Sequence, residues 1–312
     1  MTRPILVTGA TGKQGGAVVQ ALLAKPDDMV VLAVTRNPDS AAAQKLAARG
    51  VKLVKGDLDD VPALFDAARA ASPTGTVWGV FSVQPTSLNT DPVNLASNPE
   101  VKQGVALIDE ALRAGVTHFV YSSVDRGGDQ SWDTMTDVPH FRTKAFIEAH
   151  LRDATKDSKM SWSILRPAIF FENMTPDLTG RVVLTSVRDV MRKPMPWVAT
   201  EDIGFFAALQ MREHAKWAGK ALSLGGEPIA WTDIDRVFRN VTGAPPPTTY
   251  SFIAAGMRWA LADLGKMFAW FNDGGYRTDS AELKRLHPGM MDLEQWLRTR
   301  SAWKTESKKE SS

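Results

Sequence analysis

Apolar residues over about the first 120 positions of the chain follow two different periods. Short runs rich in β-branched residues have the length of buried strands, and the segments between them carry apolar residues at helical spacing. The predicted strands are residues 5–7, 30–34, 51–54, 77–83 and 119–121. The predicted helices include residues 41–48, residues 62–71 and a stretch in which Val101, Val105, Ile108 and Leu112 share one face. This alternation predicts an α/β fold with a parallel sheet covered by helices on both faces.

The second half of the chain is less regular. Residues 161–165 predict a sixth strand, and helices are predicted near Thr200 and after Thr232, where Asp235 three residues on resembles a capping box. We therefore expect a sheet domain over residues 1–160 and a smaller mixed α/β region over residues 161–303, part of which returns to the sheet. Residues 304–312 are rich in Lys, Glu and Ser and are predicted to form a disordered tail.

One apolar stretch, residues 252–271, has about the length that crosses a bilayer as a helix. Arg258, Asp263 and Lys266 interrupt it, and the last two are spaced to pair on a helix surface. The pattern favours one amphipathic helix with a charged stripe facing solvent, and no membrane span.

The charge balance and the absence of cysteine exclude several classes of function. The chain holds 37 Lys and Arg against 35 Asp and Glu, whereas dedicated nucleic-acid binders carry a strong basic excess. Without cysteine there is no disulfide, thiol nucleophile or cysteine-ligated metal, and the spacing of the five His suggests no metal site. No signal peptide follows Met1, so we expect a protein of the cytoplasm, with the nucleus as an alternative.

A glycine-rich loop follows the first predicted strand and opens the first predicted helix. Gly9, Gly12 and Gly15 have the spacing G-x-x-G-x-x-G. The first glycine permits a sharp turn, the second lets a pyrophosphate approach the backbone, and the third lets helix and strand pack closely. The helix N-terminus then offers N–H groups to phosphates. The loop predicts a dinucleotide site, and a glycine-rich turn without a ligand is the alternative.

Two later segments bear on the choice of nucleotide. Where a site for NAD(H) would place Asp or Glu after the second strand, this chain has Arg36, whose guanidinium can pair with a 2′-phosphate. This favours NADP(H) over NAD(H), with a solvated surface Arg as the alternative. After the third strand, the Asp57 carboxylate is placed to accept from an adenine amino group while Leu58 packs on the ring.

Taken together, these motifs resemble the NmrA-like branch of the atypical short-chain dehydrogenases/reductases. The resemblance covers residues 4–298 and is closest to the members that sense NADP(H). The matching segments are Val7-Thr8-Gly9-Ala10-Thr11-Gly12-Lys13-Gln14-Gly15-Gly16, Thr35-Arg36-Asn37-Pro38, Gly56-Asp57-Leu58-Asp59-Asp60, Lys102-Gln103-Gly104, Gly115-Val116-Thr117-His118-Phe119-Val120-Tyr121-Ser122-Ser123, Arg166-Pro167-Ala168-Ile169-Phe170-Phe171-Glu172-Asn173, Asp202-Ile203-Gly204 and Trp296-Leu297.

The resemblance implies a Rossmann-type doubly wound sheet, with a smaller C-terminal region for a substrate or a partner. The pyrophosphate would lie on Gly9, Ala10, Thr11, Gly12, Lys13, Gln14 and Gly15. The 2′-phosphate would lie on Arg36, and the adenine between Asp57 and Leu58. Two further assignments rest on the resemblance alone. Val83 and Gln84 would line the ribose, and the nicotinamide pocket would be bordered by Phe170, Phe171, Glu172 and Asn173.

Typical short-chain reductases use a Tyr-x-x-x-Lys pair, in which Tyr exchanges the proton and Lys binds the nicotinamide ribose. Here the Tyr is replaced by His140, while Lys144 is retained one helical turn later, and Ser122 or Ser123 is placed to fill the usual Ser position. An imidazole titrates near neutral pH and is able to supply a proton. An ordinary helix-start residue at position 140 and a solvated Lys at position 144 are the alternatives.

Two functions follow from the resemblance. In the first, Lys144 only binds cofactor, and the protein reports the NADPH/NADP⁺ ratio to a regulatory protein partner, with segments 83–90 and 125–139 as moving parts. In the second, His140 or Lys144 is catalytic, and the protein reduces a small apolar carbonyl, quinone or enone. The sequence leaves open whether it is an enzyme. A scaffold that has lost cofactor binding is a third reading, against which the intact glycine loop argues.

Overall fold

The computed structural model describes residues 2–25, 28–86 and 94–303. The strands are β1 (Arg3–Val7), β2 (Met29–Thr35), β3 (Lys52–Lys55), β4 (Gly79–Ser82), β5 (His118–Ser122), β6 (Ser161–Pro167), β7 (Ile169–Phe170), β8 (Trp197–Val198) and β9 (Lys220–Leu224). The helices are α1 (Lys13–Leu23), α2 (Ala41–Ala47), α3 (Val61–Ala71), α4 (Pro99–Arg113), α5 (Pro139–Ala154), α6 (Leu178–Val190), α7 (Thr200–Arg212), α8 (His214–Trp217), α9 (Trp231–Thr242), α10 (Ser251–Ala260), α11 (Ala262–Asp273), α12 (Ser280–Leu286) and α13 (Leu293–Thr299). The predicted tail at residues 304–312 lies outside the described residues.

The main sheet has the strand order β3-β2-β1-β4-β5-β6-β9, and the pairs from β3 through β6 are parallel. This confirms the predicted doubly wound, Rossmann-type sheet. Strand order reverses between β1 and β4, and in open α/β sheets the crevice at such a reversal, beyond the carboxyl ends of the strands, is where ligands bind.

Burial explains why the apolar runs became strands. Ile5, Leu6 and Val7 of β1 are fully buried, as expected for a central parallel strand that is covered by helices on both faces. In α1, Val18, Val19 and Leu22 are buried at helical spacing and form the face that packs inward.

The described chain divides into two compact units that alternate along the sequence. Unit 1 comprises Met1–Val124, Pro139–Arg166 and Glu201–Leu222. Unit 2 comprises Asp125–Val138, Pro167–Thr200 and Ser223–Ser312. Each unit therefore draws on both of the ranges 1–160 and 161–303 that the sequence suggested.

The prediction of one helix over residues 252–271 is wrong. Leu261 has non-helical backbone angles (φ −102°, ψ 87°) and separates α10 from α11. The chain bends there so closely that a Cβ on Gly265 would crowd the carbonyl oxygen of Arg258. Asp263 is buried while Lys266 is exposed, so these two residues do not form the predicted charged stripe on a helix surface. Periodicity did not reveal this break because the apolar residues continue through it.

The outward face of α10 is aromatic rather than charged. Trp259 is 87% exposed and Phe252 is 73% exposed, and Tyr250 just before the helix stacks on Phe252 with ring centroids 5.6 Å apart. Arg258, predicted to face solvent, instead donates from Nη1 to Ser186 Oγ in α6 at 2.8 Å. Among the described helices, none is both long and apolar enough to cross a bilayer.

The predicted capping box at Thr232 is displaced. Helix α9 follows Ala230 as its N-cap, and the backbone N–H of Ala230 donates to the carboxylate of Asp233 at 3.2 Å. Asp233, and not Asp235, therefore occupies the third helical position. Asp233 and Asp235 are two positions apart. Because the helix begins two residues earlier than the predicted capping box, Asp233 occupies the third helical position.

The turn at residues 125–128, which belongs to one of the two segments expected to move, is anchored within unit 2. The buried Asp125 carboxylate accepts from the backbone N–H groups of Gly127, Gly128 and Arg277 at 2.7–3.1 Å, and from the Ser223 hydroxyl at 2.6 Å. Two of these four hydrogen bonds lie within the turn, and the other two hold it to two later segments of the unit. Of the other proposed moving part, residues 87–90 lie outside the described residues.

Candidate functional site

The glycine loop leaves β1 and enters α1 through a tight turn. Gly9 has φ +60°, a left-handed conformation that favours glycine, and its carbonyl accepts from the Gly12 N–H at 2.8 Å. A Cβ on Gly15 would lie inside contact distance of the backbone oxygens of Thr8 and Gly9. Helix α1 therefore packs against the end of β1 as closely as a glycine at position 15 allows.

The N-terminus of α1 is suited to an anion. Gly12 is the N-cap and has no side chain to accept from the first turn, which also contains no acidic residue. Thr11, Gly12 and Lys13 are exposed. Exposed N–H groups at the positive end of a helix dipole favour a phosphate at this position.

Two pairs of hydrogen-bonded residues hold the glycine loop and the end of β1 to neighbouring strands. The Thr8 hydroxyl donates to the Val83 carbonyl at 2.9 Å and accepts from the Val83 N–H at 2.8 Å, which ties the end of β1 to the residue after β4. The Ser122 hydroxyl, at the end of β5, donates to Gln14 Oε1 at 2.6 Å. Of the two Ser positions considered from sequence, Ser122 is thus engaged with the glycine loop.

Gln84 presents a buried acceptor beside this loop. The residue is 4% exposed, and its Nε2 donates to Ser82 Oγ at 2.8 Å. In the part of the chain that the structure describes, nothing donates to its Oε1. A buried polar atom without a partner is costly, and a sugar hydroxyl is the kind of donor that would satisfy it.

Arg36 extends into solvent at the carboxyl end of β2. The Thr35 hydroxyl donates to the Asn37 carbonyl at 3.1 Å and accepts from the Asn37 N–H at 3.2 Å, so the turn that carries Arg36 is held by its neighbours. No residue within the described ranges 2–25, 28–86 and 94–303 accepts a hydrogen bond from the Arg36 guanidinium. Its donors are available for an anionic group.

The predicted adenine pair lies at the carboxyl end of β3. Asp57 and Leu58 are both half-buried, and Asp57 Oδ1 accepts from the Asp59 N–H at 3.2 Å. This hydrogen bond fixes the turn, and among the described residues nothing donates to the other carboxylate oxygen; the adenine contact stays a prediction. The glycine loop, the Gln84 acceptor and the Arg36 guanidinium together fit a dinucleotide.

Lys144 lies in α5 and is 8% exposed, so the alternative of a solvated helix Lys is wrong. Its Nζ donates to Glu100 Oε1 at 2.8 Å, and the Thr143 hydroxyl donates to Glu100 Oε2 at 2.8 Å. Glu100 is 0% exposed. A buried ammonium and carboxylate that satisfy each other form the polar centre of the contact between α4 and α5.

His140 lies one helical turn before Lys144 and is half-buried. Its ring packs edge-on against Phe141, with centroids 4.5 Å apart and an interplanar angle of 72°. The spacing of four residues places His140 on the same side of α5 as Lys144. Its catalytic role stays a prediction.

Sequence reasoning missed Glu100, which lies 44 residues before Lys144. The sequence around Glu100 already explains an acidic residue there, because a Glu in the first turn of a helix is favoured by the helix dipole. In the structure Asn98 caps α4 by accepting from the Glu100 N–H at 2.9 Å. Only the packing of α4 on α5 shows that this carboxylate turns inward to a lysine.

The Phe-Glu-Asn segment, predicted to border the nicotinamide, lies in unit 2. Phe171 stacks on Trp197 and on Trp296, with centroids 6.0 Å and 5.6 Å away. Glu172 Oε1 accepts from the Thr200 N–H and hydroxyl at 3.0 Å and 2.9 Å, and from Trp296 Nε1 at 3.2 Å. Phe171 and Glu172 therefore organise unit 2. The assignment of Phe170, Phe171, Glu172 and Asn173 to a cofactor stays a prediction.

A second buried polar cluster in unit 1 surrounds His118 of β5. Its Nδ1 and Nε2 contact Ser161 Oγ and Ser163 Oγ at 2.9 Å and 3.1 Å, and Ser163 donates onward to Gln210 Oε1 at 2.7 Å. Burial, followed by the nearby His214, lowers the pKa of His118 to about 3. This imidazole is a neutral structural group. Among the described residues, no cluster of His, Asp and Glu is arranged to hold a metal ion.

Comparison with known proteins points to one family. The NmrA-like family matches residues 1–297 of this chain. The NmrA-like family domain-containing oxidoreductase hkm9 of Aspergillus hancockii is 29% identical over 263 residues, which are 78% of this chain and 73% of that protein. An NmrA-like family domain-containing protein of Dictyostelium discoideum is 24% identical over 310 residues, which are 92% of this chain and 95% of that protein.

Solved structures share the fold at lower identity. Triphenylmethane reductase of Citrobacter sp., complexed with NADP(H), has a TM-score of 0.70 and 19% identity, over 95% of this chain and 99% of that chain. NmrA, a negative transcriptional regulator in complex with NAD, has a TM-score of 0.67 and 19% identity, over 96% and 95%. The NADPH-dependent quinone oxidoreductase of Escherichia coli, complexed with NADPH, has a TM-score of 0.69 and 21% identity, over 94% and 98%.

The family match spans both compact units and includes the glycine loop, Arg36 and Lys144. This chain belongs to the NmrA-like family.

Proposed function

We propose that this protein binds NADP(H) in preference to NAD(H) and responds to the NADPH/NADP⁺ ratio through a regulatory partner. The proposal rests on the buried ion pair in which Lys144 Nζ lies 2.8 Å from Glu100 Oε1. Lys144 lies on α5, where His140 replaces the usual Tyr. The pair retains a lysine for cofactor binding in the absence of the usual proton donor.

The charge of the pair supports binding over proton transfer. In a Tyr-x-x-x-Lys centre the lysine's positive charge favours loss of the Tyr proton. Here the carboxylate of Glu100 neutralises Lys144 at hydrogen-bond distance, so the pair has little net field to act on a neighbouring acid. An ammonium has three N–H donors, and those not used by Glu100 remain to bind sugar hydroxyls.

The nucleotide preference rests on Arg36. An exposed guanidinium whose donors are unused among the described residues is suited to a 2′-phosphate, with which it forms charge-assisted hydrogen bonds. The ribose hydroxyl of NAD(H) offers it no such charge. The remaining contacts would come from the glycine loop for the pyrophosphate and from Gln84 Oε1 for a ribose hydroxyl.

A second candidate function is reduction of a small apolar carbonyl, quinone or enone. It is favoured by the half-buried His140 on the side of α5 that carries Lys144, and by the reductases among the structural neighbours. Bound NADPH would supply a hydride, and the proton would come from His140 or from water. Acceptors that can take their proton from water fit this site better than simple ketones, because the Tyr that usually donates the proton is absent.

Two measurements on the purified protein separate these functions. The sensor proposal expects that NADPH and NADP⁺ protect different backbone amides from hydrogen exchange, and that NADPH is not consumed with a panel of quinones and enones. Sustained NADPH oxidation that Lys144→Ala or His140→Phe abolishes would overturn it in favour of the reductase. Lys102→Ala, an exposed lysine on α4, is the matched control and should change neither result.

A further inference from the structure

We propose that Glu100 is a positioning residue that presents the Lys144 ammonium to the nicotinamide ribose. The inference rests on the proposed binding of NADP(H) and names a residue that this binding requires. Glu100 is fully buried in the first turn of α4, where its two oxygens take hydrogen bonds from neighbouring residues of α5.

The geometry constrains the lysine through both oxygens of one carboxylate. Oε1 accepts from Lys144 Nζ and Oε2 accepts from Thr143 Oγ1, each at 2.8 Å. The Thr143 hydroxyl is also 2.9 Å from the His140 carbonyl, so its single proton is shared between that carbonyl and the carboxylate. A four-carbon side chain that is otherwise flexible thereby has its charged end held at one point.

Other acidic groups on the facing helices are engaged elsewhere. On α4, Asp109 contacts His150 at 2.7 Å and Glu110 pairs with Arg113. On α5, Glu148 pairs with Arg166 at 2.7 Å. Among the described residues, Glu100 is therefore the carboxylate that forms an ion pair with Lys144.

Removing the charge of Glu100 leaves a buried ammonium without its counter-ion, which is unfavourable. The unpaired ammonium is then favoured to move toward solvent, where it no longer presents its donors at the same point. A contact with the nicotinamide ribose is lost, while contacts with the adenosine end of the cofactor are kept.

The test compares two ligands in Glu100→Gln. NADPH carries the nicotinamide ribose, whereas 2′,5′-ADP has the 2′-phosphate and the adenosine but lacks that ribose. We expect Glu100→Gln to weaken NADPH by about tenfold or more, the effect of losing a charge-assisted hydrogen bond, and to leave 2′,5′-ADP unchanged. Lys144→Ala should show the same selective loss, and the double variant should lose no more than either single variant.

Two further variants make the result interpretable. Glu148→Gln breaks another buried ion pair on α5, so it should lower Tm without changing the ratio of the two ligand affinities. Thr143→Val keeps the lysine and the carboxylate but removes one support of Glu100, so it should weaken NADPH less than Lys144→Ala does and leave 2′,5′-ADP unchanged, which tests the inference even if Glu100→Gln does not fold.

The inference is overturned if Glu100→Gln weakens both ligands equally, if its effect adds fully to that of Lys144→Ala, or if NADPH affinity is unchanged in a folded variant. A wild-type protein that binds neither ligand contradicts the proposed function itself, which is a separate outcome.

Discussion

Acidification should destabilise this protein well above the range in which most carboxylates titrate, and His118 is the cause. The imidazole is buried between Ser161 and Ser163, and its pKa falls from 6.5 to about 3. The folded state therefore holds it neutral, whereas the unfolded chain takes up a proton near pH 6.5. The stabilisation is present above pH 6.5 and is lost progressively as the pH falls toward about 3.

The size of the pKa shift of His118 sets the size of the effect. Each pH unit below the unfolded pKa costs up to about 1.4 kcal/mol for one group, so lowering the pH from 6.5 to 4.5 should remove about 2–3 kcal/mol. Other groups of the chain also titrate over this interval, so the share of His118 is the difference between wild type and a variant that lacks the imidazole.

The assay is urea unfolding at half-unit steps between pH 4.5 and 7.5. His118→Asn keeps a hydrogen-bonding side chain but does not titrate, so its unfolding free energy should be lower at neutral pH and should fall less steeply than that of wild type as the pH is lowered. Equal slopes for wild type and His118→Asn would refute the reasoning.

Three further predictions concern packing and a buried carboxylate. Gly15→Ala should abolish NADPH binding and lower Tm, because its methyl group meets the Gly9 carbonyl oxygen; wild-type titration and melting curves would contradict this contact. Asp125→Asn should cost roughly 2–4 kcal/mol in urea unfolding, because an amide cannot accept all four hydrogen bonds, and a smaller loss would show that the turn readjusts. Trp197→Ala, at 1% exposure, should cost about 3–5 kcal/mol, whereas Trp259→Ala, at 87% exposure, should stay within about 0.5 kcal/mol; similar values for both would contradict the burial.

The parallel sheet and the glycine loop were predictable because their causes are local. A strand buried on both faces needs a continuous apolar run, and the tight turn after β1 needs a glycine at position 9. Each requirement appears in a few consecutive residues. The same holds for Arg36, which follows the second strand directly.

Features that depend on distant segments were not predictable in this way. Glu100 finds Lys144 only because α4 packs on α5, and Asp125 accepts from Arg277, which is 152 residues away. The break at Leu261 escaped prediction for a different reason: the apolar pattern runs through it without a proline. Charge and periodicity alone do not encode which buried partner a side chain meets.

Titration of the purified wild-type protein with NADPH, NADP⁺, NADH and NAD⁺, followed by tryptophan fluorescence, tests whether Arg36 selects the 2′-phosphate. Arg36→Gln provides the matched variant. We predict that NADPH and NADP⁺ bind at least about tenfold more tightly than NADH and NAD⁺, and that Arg36→Gln removes most of this difference without weakening NADH. Equal affinities for all four nucleotides in wild type, or equal losses of NADPH and NADH in the variant, would contradict the account.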